Sequence, residues 1–197
     1  CVIAPMSIES VETTEKMIDA LVNQIPPPQE IHVVFNGVND IKTLHNDLGY
    51  KMVQEKCDAI KSCHSVFEKG TGLSRCKNRV FAEATSSVVA FVDNDARVTP
   101  GWIAGFLKTL HQDSKCLAVG GPILQTMPDK TTSWQLMFNS SEHFYSNTMR
   151  LRTPSNMCRL MKEYKRYPRI LGGNAAYRRE VVACLGGFDV YLGRIKN

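Results

Sequence analysis

With 43% hydrophobic and 22% charged residues, the 197-residue chain can fill one substantial core, which excludes a disordered or collagen-like polypeptide. No run approaches the ~20 consecutive apolar residues of a membrane helix, and the first residues do not resemble a secretory signal, so the sequence reads as a soluble, cytoplasmic domain. Seven cysteines, an odd number without paired spacing, read as reduced thiols rather than a disulfide framework. Cys57 and Cys63-His64 have no second ligand pair at zinc-finger distance and read as small buried hydrophobes.

The elements alternate along the chain. Cys1 to Ala4 reads as a strand ended by Pro5, and Val11 to Gln24 as a helix with Val11, Met17, Ile18, Leu21, Val22 and Ile25 on its apolar face. Pro26-Pro27-Pro28 stops that helix. Ile31 to Phe35 is a second strand, and Asn36-Gly37 turns the chain toward a helix near Asp40 to Leu48. A short strand around Ser65-Val66-Phe67 leads through Gly70-Thr71-Gly72 into a helix from about Ser74 to Ala84. The Val88 to Val92 strand follows, then a helix from Gly101 to His111 with Trp102, Phe106, Leu107 and Leu110 on its apolar face. Leu117 to Pro122 is the next strand, and the stretch from there to Tyr167 reads as irregular. Repeated βα units predict an α/β fold with a mostly parallel, doubly wound sheet flanked by helices, in a single domain spanning 1–197.

The sharpest chemical signal is Val88-Val89-Ala90-Phe91-Val92-Asp93-Asn94-Asp95. An unbroken apolar run reads as a strand buried on both faces, and its carboxyl end is where open α/β sheets bind ligands. Two carboxylates at i and i+2 in that position can share one hard divalent cation, or one takes the metal and the other a ligand hydroxyl. A strand followed by a polar turn would show the same residue types.

The net charge of +5 is unevenly spread. Arg150, Arg152, Arg159, Lys162, Lys165, Arg166 and Arg169 cluster around Tyr164 and Tyr167, with Arg178 and Arg179 beyond. Such a segment is compatible with single-stranded nucleic acid, with a nucleotide diphosphate or anionic acceptor, and with plain solvation. Solvation is the commonest outcome, so no nucleic-acid partner is expected.

Six segments in order resemble the family 2 glycosyltransferases, which have the GT-A fold and move a sugar from a nucleotide sugar to an acceptor. Val2-Ile3-Ala4-Pro5-Met6-Ser7-Ile8-Glu9 is similar to the opening strand whose end holds the base, which implies nucleoside contacts at Pro5 and Glu9. Val33-Val34-Phe35-Asn36-Gly37 resembles a second nucleoside-binding strand end, with Phe35 in place of an acid and Asn36 left as the contact. Gly72-Leu73-Ser74-Arg75-Cys76-Lys77-Asn78-Arg79 resembles the segment reaching base and diphosphate, which implies roles for Lys77, Asn78 and Arg75. Asp93-Asn94-Asp95 falls where the family's acid motif belongs, fifteen residues after Asn78. Gly172-Gly173-Asn174 and Gly186-Gly187-Phe188-Asp189 are similar to the donor-sugar border and the start of the acceptor side.

The resemblance implies an inverting, divalent-metal-dependent hexosyltransferase using a nucleotide-diphosphate sugar, UDP-sugar favoured, and a glycan or other hydroxyl acceptor. Mn²⁺ or Mg²⁺ would be held by Asp95 and Asp93, with Asp93 on ribose or supporting the metal through Asn94 and water, and Gly173 beside the sugar. Arg178 or Arg179 would assist at the phosphates. Residues 1–100 would be the nucleotide half and 101–197 the sugar and acceptor half, within a longer polypeptide of the kind found in bacteria and large algal viruses. Family members place the catalytic base in an acidic pair about ten residues beyond the Gly-Gly-Phe-Asp segment. The sequence given stops at Asn197, before that point, which leaves Asp189 as the candidate base. A nucleotidyltransferase would also use a strand-end acid, but it carries a Gly-rich basic loop after its first strand, which Ala4-Pro5-Met6-Ser7 is not. A nucleic-acid or nucleotide-sugar-binding module without transferase activity is the other alternative.

Overall fold

A computed structural model of the chain describes residues 2–4, 10–37, 40–121, 149–151 and 172–191. Four strands, β1 (Val2–Ala4), β2 (Ile31–Asn36), β3 (Cys63–Glu68) and β4 (Val88–Asp93), run parallel. Three more are added on the other side: β5 (Ala118–Gly120), β6 (Met149–Leu151) and β7 (Asn174–Arg178), in the order β3-β2-β1-β4-β7-β5-β6. β7 is antiparallel to both β4 and β5, and β6 is antiparallel to β5, so the sheet is mixed.

Helices cover both faces because the strands alternate. Ile31, Val33 and Phe35 of β2 pack with α1 (Val11–Val22), α2 (Ile41–Asn46) and α3 (Leu48–Asp58), while Val34 points the other way to Cys76 and Val80 of α4 (Leu73–Glu83). On β4, Val89 and Phe91 join the α4 side and Val92 the α1 side, so this strand is covered on both faces as its apolar run predicts. α5 (Trp102–Gln112) packs Phe106 and Leu110 on Val119 of β5 and Ala176 of β7. α6 (Arg179–Cys184) lies beside α4.

Several expectations are corrected. The first helix ends at Val22, so Ile25 falls after it and stands 82% exposed, and Val22, a step round from Leu21, faces solvent rather than the core. The single helix expected near Asp40 to Leu48 is two: Asp40 caps α2 through Lys42 N–H at 3.1 Å, and Asp47 starts α3 by accepting from Tyr50 N–H at 2.8 Å. β6 interrupts the stretch read as irregular, whose remaining residues lie outside those described. β7 and α6 were not anticipated. β7 is Asn-Ala-Ala-Tyr-Arg, without β-branched residues, yet Ala175 and Ala176 are fully buried at the centre of the sheet.

Candidate active site

Parallel strands put their carboxyl ends on one edge of the sheet. Ile3 pairs with Asp93, Ala4 with Phe35, and Asn36 with Glu68, which aligns the ends of β1 to β4 along that edge. β7 runs the opposite way and pairs Asn174 with Val92, so the residues just before it, Gly172-Gly173, arrive beside Asp93. A Cβ at Gly173 would stand 2.6 Å from Asp93 Cγ and 3.0 Å from Oδ1, so a larger residue there would require the carboxylate to move.

Asp93 and Asp95 are exposed, and among the described residues no hydrogen bond reaches either carboxylate. Burial of the Asp93 carboxyl by surrounding protein atoms raises its pKa, the negative charge of Asp95 raises it further, and Lys77 opposes both. Asn94, between them, is turned inward: it is 8% exposed and its Nδ2 donates to Thr14 Oγ1 of α1 at 3.2 Å. That bond ties the acid turn to the first helix.

Lys77 lies under the same edge, only 5% exposed. Its ammonium donates to Gly172 O at 3.2 Å and sits 4.9 Å from the Phe91 ring centroid and 5.3 Å from that of Phe188. Burial lowers its pKa and the nearby Asp93 charge partly restores it. The site therefore holds a desolvated cation near the Asp93 carboxylate, joined through the Gly172-Gly173 backbone, with Asp95 two residues on.

The remaining sequence-predicted residues are placed as follows. Asn36 ends β2, half-buried on the same edge. Asn78 donates to Phe188 O at 2.8 Å and accepts from Phe188 N–H at 2.7 Å, clamping the Gly-Gly-Phe-Asp turn, whose Gly187 takes φ +92. Asp189 is exposed and accepts from Tyr191 N–H at 2.8 Å, capping its own turn. Arg75 packs on Gly70, whose N–H donates to Glu68 at 2.9 Å. Pro5, Glu9 and the basic segment from Arg152 to Arg169 lie outside the described residues.

The structure places Arg178 away from the acid turn rather than across a cleft from it. It pairs with Val88 at the opposite end of β4, about 16 Å from Asp93 at the usual rise per strand residue. Its guanidinium donates instead to Cys116 O at 2.9 Å and Leu110 O at 2.6 Å, capping the end of α5. Arg179 follows it at that far edge, its backbone N–H on Ser87 O at 2.8 Å.

Sequence reading missed the contact that fixes the site's other wall. Trp102 Nε1 donates to Asn174 Oδ1 at 2.8 Å, and Gly121 N–H donates to Asn174 O at 3.0 Å, so α5, β5 and β7 meet at the residue after Gly173. The signal was Asn174 itself, a polar residue inside an apolar Gly-Gly-Asn-Ala-Ala run. A 350 Å³ slot lined by Glu30, Ile31, Val88, Val89 and Ala90 lies at the opposite edge. It marks a seam between β2 and β4, because the first paired residue of β1, Val2, registers only with Val33 and Val92.

This sheet order, with the acid turn at the end of β4, where the parallel half meets the antiparallel half, defines a GT-A type glycosyltransferase fold. The Pyrobaculum calidifontis mannosyltransferase PcManGT, solved in complex with GDP-Man and Mn²⁺, shares it with a TM-score of 0.61 at 20% identity, over 96% of this chain and 47% of that one. S. aureus TarS in complex with UDP-GlcNAc gives a TM-score of 0.55 at 16% identity, over 94% of this chain and 46% of the other. The family model for glycosyl transferase family 2 matches residues 1–186, and the chain belongs to that family. A curated relative, the glucosyl-dolichyl phosphate glucuronosyltransferase of Haloferax volcanii, is 23% identical over 98% of this chain and 56% of its own length. The chain thus spans about half the length of these relatives.

Proposed function

We propose that this glycosyltransferase domain moves a hexose from a nucleotide-diphosphate sugar, UDP-sugar favoured, to an acceptor hydroxyl with inversion and with a divalent metal. The observation that carries the reading is the joining of Asp93 and Lys77 through Gly172-Gly173 at the carboxyl edge of the sheet, with the charge of Asp95 beside Asp93.

The acid pair fits a hard cation. The charge of Asp95 raises the proton affinity of Asp93 with no described hydrogen bond to relieve it, and Mn²⁺ or Mg²⁺ would complete its shell from phosphates and water. Among the described residues, Asp95 and Asp93 are the pair that would hold the ion. When bound, such an ion supplies Lewis-acid neutralisation of the leaving diphosphate. The solved complexes of PcManGT with GDP-Man and Mn²⁺ and of TarS with UDP-GlcNAc support a nucleotide-sugar donor and leave both bases in contention.

The protein's own groups would then divide the work. Lys77, desolvated and close, places fixed positive charge where the diphosphate departs, an effect strengthened by exclusion of water. Gly173 lets the donor sugar approach the backbone beside Asp93, and Asn36 and Asn94 define the nucleoside side of the cleft through contact and through the tie to Thr14. Asn78 holds the acceptor-side turn in place. Asp189 is the proposed base: one carboxylate oxygen is anchored by Tyr191 N–H and the other is left to take the acceptor proton. Residues 1–100 form the nucleotide half and 101–197 the sugar and acceptor half.

The test is release of nucleoside diphosphate from UDP- and GDP-hexoses with and without Mn²⁺, on the wild type and Asp189→Ala. Turnover that requires metal and falls in the variant supports the assignment. Turnover unaffected by chelator removes the metal, and an undiminished Asp189→Ala rate removes that base.

A further inference from the structure

Cys57 closes the last turn of α3 and Cys63 opens β3, and the turn between them brings the two sulfurs to 3.1 Å. Both ends of that turn are pinned by backbone bonds, Ile60 N–H to Cys57 O at 2.9 Å and Cys63 N–H to Ile60 O at 2.8 Å. Cys57 is 0% and Cys63 6% exposed, so packing holds the pair together. The other described cysteines stand apart: Cys76 is buried with its thiol pushed up to about 12 by that burial, Cys116 donates to Ala118 O at 3.4 Å, and Cys184 is exposed on α6.

We propose that Cys57 and Cys63 are a disulfide-forming pair, a covalent modification site that staples α3 to β3, the edge strand of the sheet. The sulfurs must close by about 1 Å to reach the S–S bond length, a movement within reach of side-chain adjustment. Cys63 is the attacking member. The hydrogen bond it shares with the Cys57 sulfur, helped by a backbone bond at His64, holds its pKa below the ordinary thiol value against the cost of burial. It is also the more accessible of the two.

With a low-molecular-weight disulfide such as oxidised glutathione, the Cys63 thiolate attacks one sulfur and expels a glutathione thiolate, leaving a mixed disulfide. The Cys57 thiolate then attacks Cys63 Sγ and expels the second glutathione. Two protein thiols lose two electrons and two protons, and oxidised glutathione becomes two reduced molecules. The staple lies at the start of β3, which ends at Glu68 and leads into the helix that carries Lys77.

The experiment equilibrates the folded chain with oxidised or reduced glutathione, alkylates remaining thiols under denaturing conditions and maps the peptides by mass spectrometry. A Cys57–Cys63 cross-linked peptide and loss of two alkylatable thiols are expected, together with a higher Tm than the reduced protein. Cys63→Ser should lose both changes and Cys184→Ser should keep them. Recovery of Cys57 and Cys63 as alkylated thiols from the wild type after oxidation, with only Cys184 modified, would overturn the proposal. The wild-type map decides this even if a serine variant does not fold.

Discussion

Gly173 lies against the carboxylate of Asp93, where a Cβ would stand 2.6 Å from Cγ and could fit only if the carboxylate moved. This contact joins the end of the fourth parallel strand to the start of the antiparallel strand that follows it in the sheet. Gly173→Ala must therefore push the acid out of position. Overpacking of this kind costs about 1–3 kcal/mol, which the fold can absorb. Donor affinity should fall by at least about tenfold, read by calorimetry against an unchanged circular dichroism spectrum.

Asp93 predicts a trade between stability and binding. Its raised pKa means that the folded state holds the proton more tightly than the unfolded chain, so stability falls as pH rises from the ordinary value of 3.8 through the folded pKa. Asp93→Asn removes that cost. Its Tm at neutral pH should exceed that of the wild type by on the order of 1–2 °C, discounted for the exposure of the residue, and the gap should close in acid. Metal-dependent nucleotide binding should be lost in the same variant. A lower Tm for Asp93→Asn at neutral pH would contradict this.

Glu30 has the opposite sign. Burial pushes its carboxyl up, but hydrogen bonds from the Thr85 side chain, His32, the Thr85 backbone and Ser86 outweigh it and bring the pKa to about 2 from 4.5. The stabilisation is complete above pH 4.5 and is lost as pH falls through about 2. Glu30→Gln should cost about 1 kcal/mol in urea denaturation at neutral pH, with the difference disappearing in strong acid. Glu30 binds the turn before β4 to the start of β2, so nucleotide affinity should not change.

Arg178 separates structure from chemistry. Because its guanidinium donates to Leu110 O near the end of α5 and to Cys116 O in the loop after it, Arg178→Ala should lower stability by about 1.5–3 kcal/mol, the range for hydrogen bonds to a charged group. Donor affinity should stay within about twofold, because the residue lies about 16 Å from the acid pair. A selective loss of nucleotide binding at unchanged Tm would return Arg178 to the phosphates.

The parallel half of the fold was legible because it is written in local pattern. Apolar runs such as Val88 to Val92 and the helical spacing of Val11, Met17, Ile18 and Leu21 each specify a buried face. The acid turn was legible too, since strand-end position follows from the run that precedes it. β7 was not, because Ala175 and Ala176 have no strand preference of their own and owe their place to pairing with β4 and β5. Arg178 was misassigned for the same reason: without the antiparallel direction of β7, nothing in the sequence says which edge it occupies. Asn78 and Lys77 were singled out by resemblance, but their bonds to Phe188 and Gly172 span 110 and 95 residues and are set by tertiary structure.

The central claim is that Asp93 and Asp95 hold a metal for a nucleotide-diphosphate donor. Calorimetric titration with UDP, GDP and dTDP, each with and without Mn²⁺, on the wild type and Asp95→Ala tests it most directly. The account predicts binding of one diphosphate that requires both Mn²⁺ and Asp95, which also identifies the base. Equal binding with and without metal, or undiminished binding in Asp95→Ala, would contradict it.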